Sequence, residues 1–188
     1  MKYINIFLLF LTLYSSVTVY TAFDKPYRLM SNVYNQKNKI ELPFFQGFLK
    51  VDQETHKYIV ELQKLSKENE LKLGDYLIDL TGRNPGANIV LGAKYIGKPW
   101  YLSGYTGSDL FVSELLRQSS YENIKRSWIL TTDGTLSISH TVLEVQNLNL
   151  EVDYILVGKI QALNSKNDIF YHYLWKPRYS LKKKLLSK

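Results

Sequence analysis

The chain has 188 residues, a formal net charge of +7 and no cysteine. Its length suits a single domain with a sizeable core, and the absence of cysteine excludes disulfides and cysteine-ligated zinc. Six of the positive charges lie in residues 176–188, where there is no acid, and the body from 3 to 175 is neutral. A nucleic-acid-binding face would need a basic patch in the body, so no nucleic-acid partner is predicted.

The first segment of the chain is apolar. Residues 3–23 contain no charged side chain and are long enough to cross a hydrocarbon core as a helix. A cleavable signal peptide would have small residues at the last and third-last positions before the cut; Ala22 fits this pattern and Tyr20 does not. We therefore predict a transmembrane anchor, or an uncleaved signal, over residues 1–23.

The basic residues around this segment leave its orientation open. Lys2 stands on one side, and Lys25 and Arg28 follow on the other. The positive-inside rule then favours a cytoplasmic carboxyl side or gives no preference. An exported domain would be explained if this segment were the last span of a longer polytopic protein in which earlier helices set the topology.

Beyond the anchor we predict three segments. Residues 24–53 form a juxtamembrane lead with a short strand at 48–51, residues 54–178 form the domain, and residues 179–188 form a basic tail. Such a tail is either a frayed, solvated end or a contact with anionic lipid, which attracts each nearby basic side chain by about 1 kcal/mol.

Apolar spacing predicts the helices. Spacings of three and four between apolar residues indicate one buried face over residues 54–70, with Asp52 as the cap. Shorter helices are predicted over 87–95, 108–117 and 138–145. The predicted inward side chains of the first and third of these four helices are Tyr58, Ile59, Leu62, Leu65, Leu110, Phe111, Leu115 and Leu116.

Short apolar runs bounded by turn residues predict strands over 75–80, 126–132 and 153–160, and an antiparallel edge strand over 169–175. Strands that alternate with helices predict an α/β fold. We expect a three-layer sandwich with a mainly parallel sheet and an antiparallel edge, preceded by one transmembrane helix.

A first candidate ligand site follows the strand at 75–80. Asp79 would stand at its carboxyl end, where open α/β sheets bind ligands, and the loop 81–86 adds Arg83 and Asn84. Exposed amides there could hold a phosphate or a carboxylate. The loop lacks both the dinucleotide fingerprint and the lysine ending of a P-loop, so plain turn chemistry remains an alternative.

The loop 103–109 is the second candidate. Tyr105 could stack on a sugar or head group, while Ser108 and Asp109 bind its hydroxyls. The alternative is that this segment only begins a helix, with Ser108 or Asp109 as its cap. Ser103 is not in the Gly-x-Ser-x-Gly turn of a hydrolase nucleophile.

No metal site and no cofactor are predicted. His56, His140 and His172 are far apart in sequence, and none has the spacing of a metal ligand.

Several short motifs together resemble a known kind of domain. They are Gly74-Asp75-x-x-Ile78-Asp79-Leu80-Thr81-Gly82-x-x-Pro85-Gly86, Leu91-Gly92, Trp100, Gly104-Tyr105-x-Gly107-Ser108, Trp128-Ile129-Leu130, Tyr154-x-Leu156-Val157-Gly158 and Leu174-Trp175-Lys176-Pro177. Over residues 20–178 the chain resembles the soluble carboxyl-terminal domain of uncharacterised bacterial polytopic membrane proteins, which are similar in layout to lipid-linked sugar transferases of the cell envelope.

This resemblance implies an extracytoplasmic domain near the membrane surface. The chain departs from the family in having one span, which we expect to hold the domain at the bacterial inner membrane. Its expected role is a binding or accessory module for sugar or lipid-linked substrates. Because a transferase of that kind keeps its reaction centre in membrane helices, catalysis by this chain stays open. The alternatives are an envelope hydrolase or transferase with Asp79 or Asp109 as base, and a structural partner of a polytopic membrane protein.

Overall fold

The computed structural model describes residues 2–24, 26, 31–82, 86–134, 136–163 and 168–178. The helices are α1 (Lys2–Asp24), α2 (Gln53–Glu68), α3 (Ala87–Leu91), α4 (Ser108–Arg117), α5 (Tyr121–Arg126) and α6 (Leu150–Asp153). The strands are β1 (Asn38–Leu42), β2 (Phe45–Val51), β3 (Leu77–Asp79), β4 (Trp128–Thr132), β5 (Tyr154–Leu163) and β6 (Ile169–Pro177). Two 3₁₀ helices cover Val33–Asn35 and His140–Gln146. The predicted mixed α/β class is confirmed.

Helix α1 is long and apolar enough to cross a membrane, and none of the apolar window that qualifies it is buried against the rest of the chain. Several of its hydroxyl side chains donate to backbone carbonyls of the preceding turn. Thr12 donates to the carbonyl of Leu8 at 2.8 Å, and Ser16 donates to that of Thr12 at 2.8 Å. Such bonds to the preceding turn let hydroxyl residues lie in an apolar helix.

The main sheet has four strands in the order β3-β4-β6-β5. Only β3 and β4 are parallel, while β4–β6 and β6–β5 are antiparallel, so the expectation of a mainly parallel sheet is wrong. The predicted edge strand, β6, lies inside the sheet. Its Leu174 pairs with Leu130 on one side and Gly158 on the other, so β6 has a hydrogen-bonded neighbour along both edges.

Neighbouring residues of a strand point to opposite faces of the sheet, and both faces of this sheet are covered by other elements. In β3, Ile78 belongs to a core cluster with residues of α4, α5 and the second 3₁₀ helix. Leu77 belongs to a second cluster, with residues of α2, α3 and β1. Both faces therefore contribute to the core, as in strands that read as continuous apolar runs.

Strands β1 and β2 form a separate antiparallel hairpin. The sequence predicts only its last part, the strand at 48–51. The hairpin contributes the buried Ile40 to the second core cluster, beside residues of α2 and α3. A two-stranded hairpin is marginal by itself in water, so this packing is what stabilises it.

Two of the predicted helices differ in length or type. Helix α3 ends at Leu91 and not at residue 95, because Gly92 adopts a left-handed conformation (φ 64°) and its amide closes the last turn. The helix expected over 138–145 is the 3₁₀ helix at His140–Gln146, capped by the Ser139 hydroxyl, which accepts from the amide of Thr141.

The helix predicted over 54–70 is confirmed as α2, with Asp52 as its cap. Asp52 is buried, and its Oδ1 accepts from the amides of Glu54 and Thr55 at 3.0 and 2.9 Å. Its Oδ2 accepts from the Thr55 hydroxyl at 2.8 Å. One carboxylate thus satisfies two amides that have no partner inside the helix.

Replacement of this cap should destabilise the fold. We expect Asp52→Ala to lower the free energy of unfolding by about 1–2 kcal/mol, because two helix amides and one hydroxyl lose their acceptor. Asp52→Asn keeps one acceptor oxygen and should lose less. Thermal unfolding of the detergent-solubilised chain, followed by circular dichroism, measures both; equal stability of Asp52→Ala and wild type would contradict the cap's importance.

Candidate functional site

Three loops meet beyond the carboxyl ends of the parallel pair β3–β4. The amide of Ile138, after β4, donates to the carbonyl of Leu80, after β3, at 2.9 Å. The Ser103 amide donates to the carbonyl of Gly82 at 3.4 Å, and its hydroxyl donates to the carbonyl of Leu136. The two loops that the sequence singles out are therefore in contact, and the loop after β4 joins them.

Gly82 is the closest point between the first two loops. Its φ is +71°, and a Cβ at this position would collide with the Ser103 side chain. Its carbonyl also accepts from the indole nitrogen of Trp100 at 3.2 Å. Glycine is required here both for the positive φ and for the close approach, which agrees with a structural role for this turn.

Asp79 ends β3 and is almost fully buried. Its Oδ1 accepts from the amide of Thr81 at 2.9 Å and from the Thr81 hydroxyl at 2.6 Å. This local bonding is typical of an aspartate that shapes a turn. The side chain is thus engaged as the turn-chemistry alternative expects.

The environment of Asp79 favours its protonated form. Burial raises the pKa of its carboxyl to about 6, although the two bonds from Thr81 act in the opposite direction. Tyr101 is affected too, since burial and then the negative charge of Asp79 raise the pKa of its phenol. A buried carboxyl with a raised pKa is a feature of many acid–base sites, and also of structural positions.

The raised pKa predicts a pH dependence of stability. The folded state binds a proton at Asp79 more tightly than the unfolded state, so this group's contribution falls as pH rises from about 4 to about 6. A difference of two between the pKa values of the folded and unfolded states corresponds to about 3 kcal/mol of stability. We expect the unfolding free energy of wild type relative to Asp79→Asn to fall by up to about this amount across that range, measured by urea denaturation at several pH values.

Wild type is compared with Asp79→Asn because His172 gives the free energy of unfolding a pH dependence of the opposite sign. Burial lowers the pKa of His172 to about 4, so its contribution is present above pH 6.5 and is lost as pH falls towards 4. Both proteins retain His172, and its effect cancels in their difference. A difference that stays constant with pH would show that Asp79 is not buried as described.

A cleft of about 290 Å³ lies beside the meeting point of the loops. Its volume is near the lower end for small-molecule sites and suits one sugar-sized ring. The residues that line it come from the second loop, the start of α4 and the loop after β4: Gly104, Tyr105, Gly107, Ser108, Asp109, Leu110, Leu136 and Ser137.

The polar groups of the cleft have few internal partners. Asp109 accepts from the amide of Ser139 at 3.1 Å through Oδ1, its one hydrogen bond with the described part of the chain. The Ser108 hydroxyl accepts from the Tyr105 amide at 3.3 Å. The cap of α4 is Gly107, with φ 87° and no side-chain bond, so the expectation that Ser108 or Asp109 caps this helix is wrong.

Helix α4 has the predicted bounds, and the predicted inward residues Leu115 and Leu116 pack on the core, but the predicted Leu110 and Phe111 are exposed. Val112 and Leu116 are fully buried, whereas Leu110 and Phe111 are 78% and 53% exposed. The stripe that faces the core is offset from the predicted one, because Val112 and Leu116 share a helix face four residues apart. Leu110 therefore forms part of an apolar rim of the cleft.

The structure brings together three of the six predicted site residues. Tyr105, Ser108 and Asp109 line the cleft, and Asp79 lies in the turn behind it and does not line it. Arg83 and Asn84 lie outside the described residues.

Sequence reasoning missed the contribution of Leu136 and Ser137. The available signal was the Asp133-Gly134 turn that follows β4, because loops after two adjacent parallel strands meet at the same edge of a sheet. That signal requires knowing that β3 and β4 are neighbours, which the sequence does not state.

No group of three histidine, aspartate or glutamate side chains that could hold a metal ion occurs among the described residues. His172 is buried, and a hydrogen bond of 2.7 Å joins its Nδ1 and the hydroxyl of Tyr58. The two rings also meet edge to face, with centroids 5.3 Å apart. This histidine is part of the packing between α2 and β6.

Comparisons of the chain with protein-family models, curated proteins and solved structures found no match. The resemblance to envelope membrane proteins stays a prediction from the motifs.

Proposed function

We propose that this chain is a membrane-anchored binding module of the bacterial cell envelope whose cleft takes a sugar, free or as part of a lipid-linked substrate. The observation that carries the proposal is the joint presence of Tyr105 and Asp109 on one small cleft. An aromatic ring offers an apolar face for a sugar ring, and a carboxylate accepts hydrogen bonds from its hydroxyls. Within this proposal the domain is a three-layer sandwich, an arrangement supported by core clusters on both sheet faces.

The charge of the cleft favours a neutral or cationic ligand. Among the described residues that line the cleft, Asp109 is the one with a carboxylate or a basic group, and it lies in the first turn of α4. A negative side chain there already complements the positive helix end, so it competes with a phosphate or carboxylate. The ligand class supported by the cleft is therefore a polyhydroxylated or amino sugar, and not the anion first considered for the loop 81–86.

Tyr105 and Asp109 should contribute to binding in different ways. We expect glucose and glucosamine to shift the NMR signals of cleft residues, and glucuronate to bind more weakly because of repulsion by Asp109. Tyr105→Ala should weaken binding of both neutral and amino sugars about tenfold, the effect of losing roughly 1.4 kcal/mol of contact. Asp109→Asn should narrow the difference in affinity between glucose and glucuronate, because it removes the charge that repels the glucuronate carboxylate.

The matched control for Tyr105→Ala is Tyr121→Ala. Tyr121 is also exposed, and it begins α5 beyond the opposite end of α4, a helix about 15 Å long. Its replacement should leave binding unchanged. If neither glucose nor glucosamine binds, or if both tyrosine variants behave alike, the cleft is not a sugar site.

We propose an extracytoplasmic position for the domain, as the motif resemblance implies. The chain contains no cysteine, so a single introduced cysteine reports its location. Val152 is 68% exposed, and a Val152→Cys variant should react with a membrane-impermeant maleimide in cells whose outer layer has been opened. Protection until the inner membrane is broken would place the domain in the cytoplasm.

An enzymatic role is the second candidate, because the pKa of the buried Asp79 carboxyl is raised to about 6, near the range of a general acid or base. Against this, Asp79 does not line the cleft. Turnover of a sugar or phosphate ester that Asp79→Asn abolishes, with the fold intact, would support the enzyme; retained turnover would exclude Asp79 as its base.

A structural partner is the third candidate, favoured by the exposed Leu110 and Phe111 on α4. Co-purification with a polytopic membrane protein that survives Asp109→Asn but is lost in a Leu110→Ser/Phe111→Ser variant would favour this role over ligand binding.

A further inference from the structure

The outward face of the β1–β2 hairpin is unusual for a soluble surface. Three phenylalanines are exposed at its tip and on β2: Phe44 by 57%, Phe45 by 64% and Phe48 by 49%. In the strand register Phe48 lies with Lys39 and Lys50 on the face opposite the buried Ile40, whereas Phe45 pairs with Leu42 on the Ile40 face. Exposed apolar residues that are close together in this way mark an interaction surface more often than scattered single ones do.

Lysines accompany these rings. In the hairpin register Lys39 pairs with Lys50 and Glu41 pairs with Phe48, and all four side chains are exposed. The Lys39 ammonium lies 4.4 Å from the centre of the Phe48 ring. Two like charges directly opposite each other are unfavourable in an isolated hairpin, and an anionic surface would relieve that repulsion.

The chain connection places the hairpin close to the end of the apolar helix. The rings of Phe23, in the last turn of α1, and Tyr34 have centroids 6.3 Å apart. Strand β1 begins at Asn38, and the tip residue Phe44 follows Tyr34 by ten positions. An extended strand advances about 3.3 Å per residue, so the tip lies within about 33 Å of Tyr34, which contacts that end of α1.

We propose that the β1–β2 hairpin docks on the surface of the bilayer that α1 spans, with Phe44 and Phe48 in the headgroup region and Lys39 and Lys50 against anionic lipid headgroups. The proposal rests on the proposed anchoring by α1. Aromatic residues combined with lysine on one face are typical of segments that lie in the membrane interface. A docked hairpin would hold the domain close to the membrane, where lipid-linked substrates are found.

Two observations favour lipid as the surface on which the hairpin docks. The hairpin is tied to α1 by a short segment, which keeps a bilayer within reach whenever α1 is inserted. The outer face also carries two lysines against one glutamate, a charge complement to anionic headgroups. A protein partner would have to displace the lipid surface to which the hairpin is already tethered.

The absence of native cysteine allows a direct test with the full chain in nanodiscs of equal parts phosphatidylcholine and phosphatidylglycerol. A fluorophore is attached to Phe44→Cys, and quenching by lipids with a spin label in the headgroup region is measured. Leu11→Cys reports insertion of α1, and Val152→Cys is the control for an exposed apolar position outside the hairpin. We expect strong headgroup quenching at position 44 and little at 152.

The charges are tested separately. A Lys39→Gln/Lys50→Gln variant of the labelled chain should lose at least half of the quenching at position 44, as should wild-type lysines in discs of phosphatidylcholine alone. Equal quenching at positions 44 and 152 would overturn the proposal. So would a label at position 11 that acyl-chain quenchers do not reach, because the anchor premise would then fail.

Failure here is distinguishable from failure of the sugar site. Sugar binding is measured at Tyr105 and Asp109, and the hairpin variants leave those residues unchanged. Sugar binding without quenching at position 44 would retain the cleft and reject the docked hairpin.

Discussion

The parallel pairing of β3 with β4 is the constraint on which the rest of the structure depends. Its register places Ile78 beside Ile129 and Asp79 beside Leu130, so alternate residues of both strands serve the two core clusters. The same pairing brings the loops that follow both strands to one edge. Without it, the Leu80 carbonyl could not accept the amide of Ile138, and the cleft would lose one wall.

Local patterns in the sequence predict the elements whose determinants are local. Helix α2 has both its cap, Asp52, and its apolar stripe within 17 residues of chain, and both are observed. The position of β6 depends instead on pairing with β4, about 40 residues earlier, and with β5. A short apolar strand looks the same at an edge and in the interior, which is why β6 was expected at the edge.

The candidate site is predictable to a similar degree. The spacing of glycine and polar residues located the loop 103–109, because positive-φ glycines such as Gly104 and Gly107 are needed where the chain turns into a helix. The sequence could not show which apolar stripe α4 buries, since Phe111 and Val112 are both suitable and the choice depends on the neighbouring elements. The turn-chemistry alternative predicts that Asp79 bonds to a backbone group, here the Thr81 amide, but not that burial raises the pKa of its carboxyl.

The fold has exposed apolar residues that its core does not need. The two clusters fill both faces of the sheet with large side chains that are fully buried, so the chain has enough apolar residues for a core without the exposed ones. Among the exposed ones, groups of neighbours lie along α1 and on the β1–β2 hairpin, Leu110 lies beside the cleft, and others such as Val152 and Ile169 are scattered over the surface. Exposed apolar area has a free-energy cost in water of about 25 cal/mol per Å². Under the proposals made for the anchor, the hairpin and the cleft, a bilayer would remove that cost along α1 and at the hairpin, a ligand would do so at the cleft, and the membrane position would bring a lipid-linked sugar to the cleft.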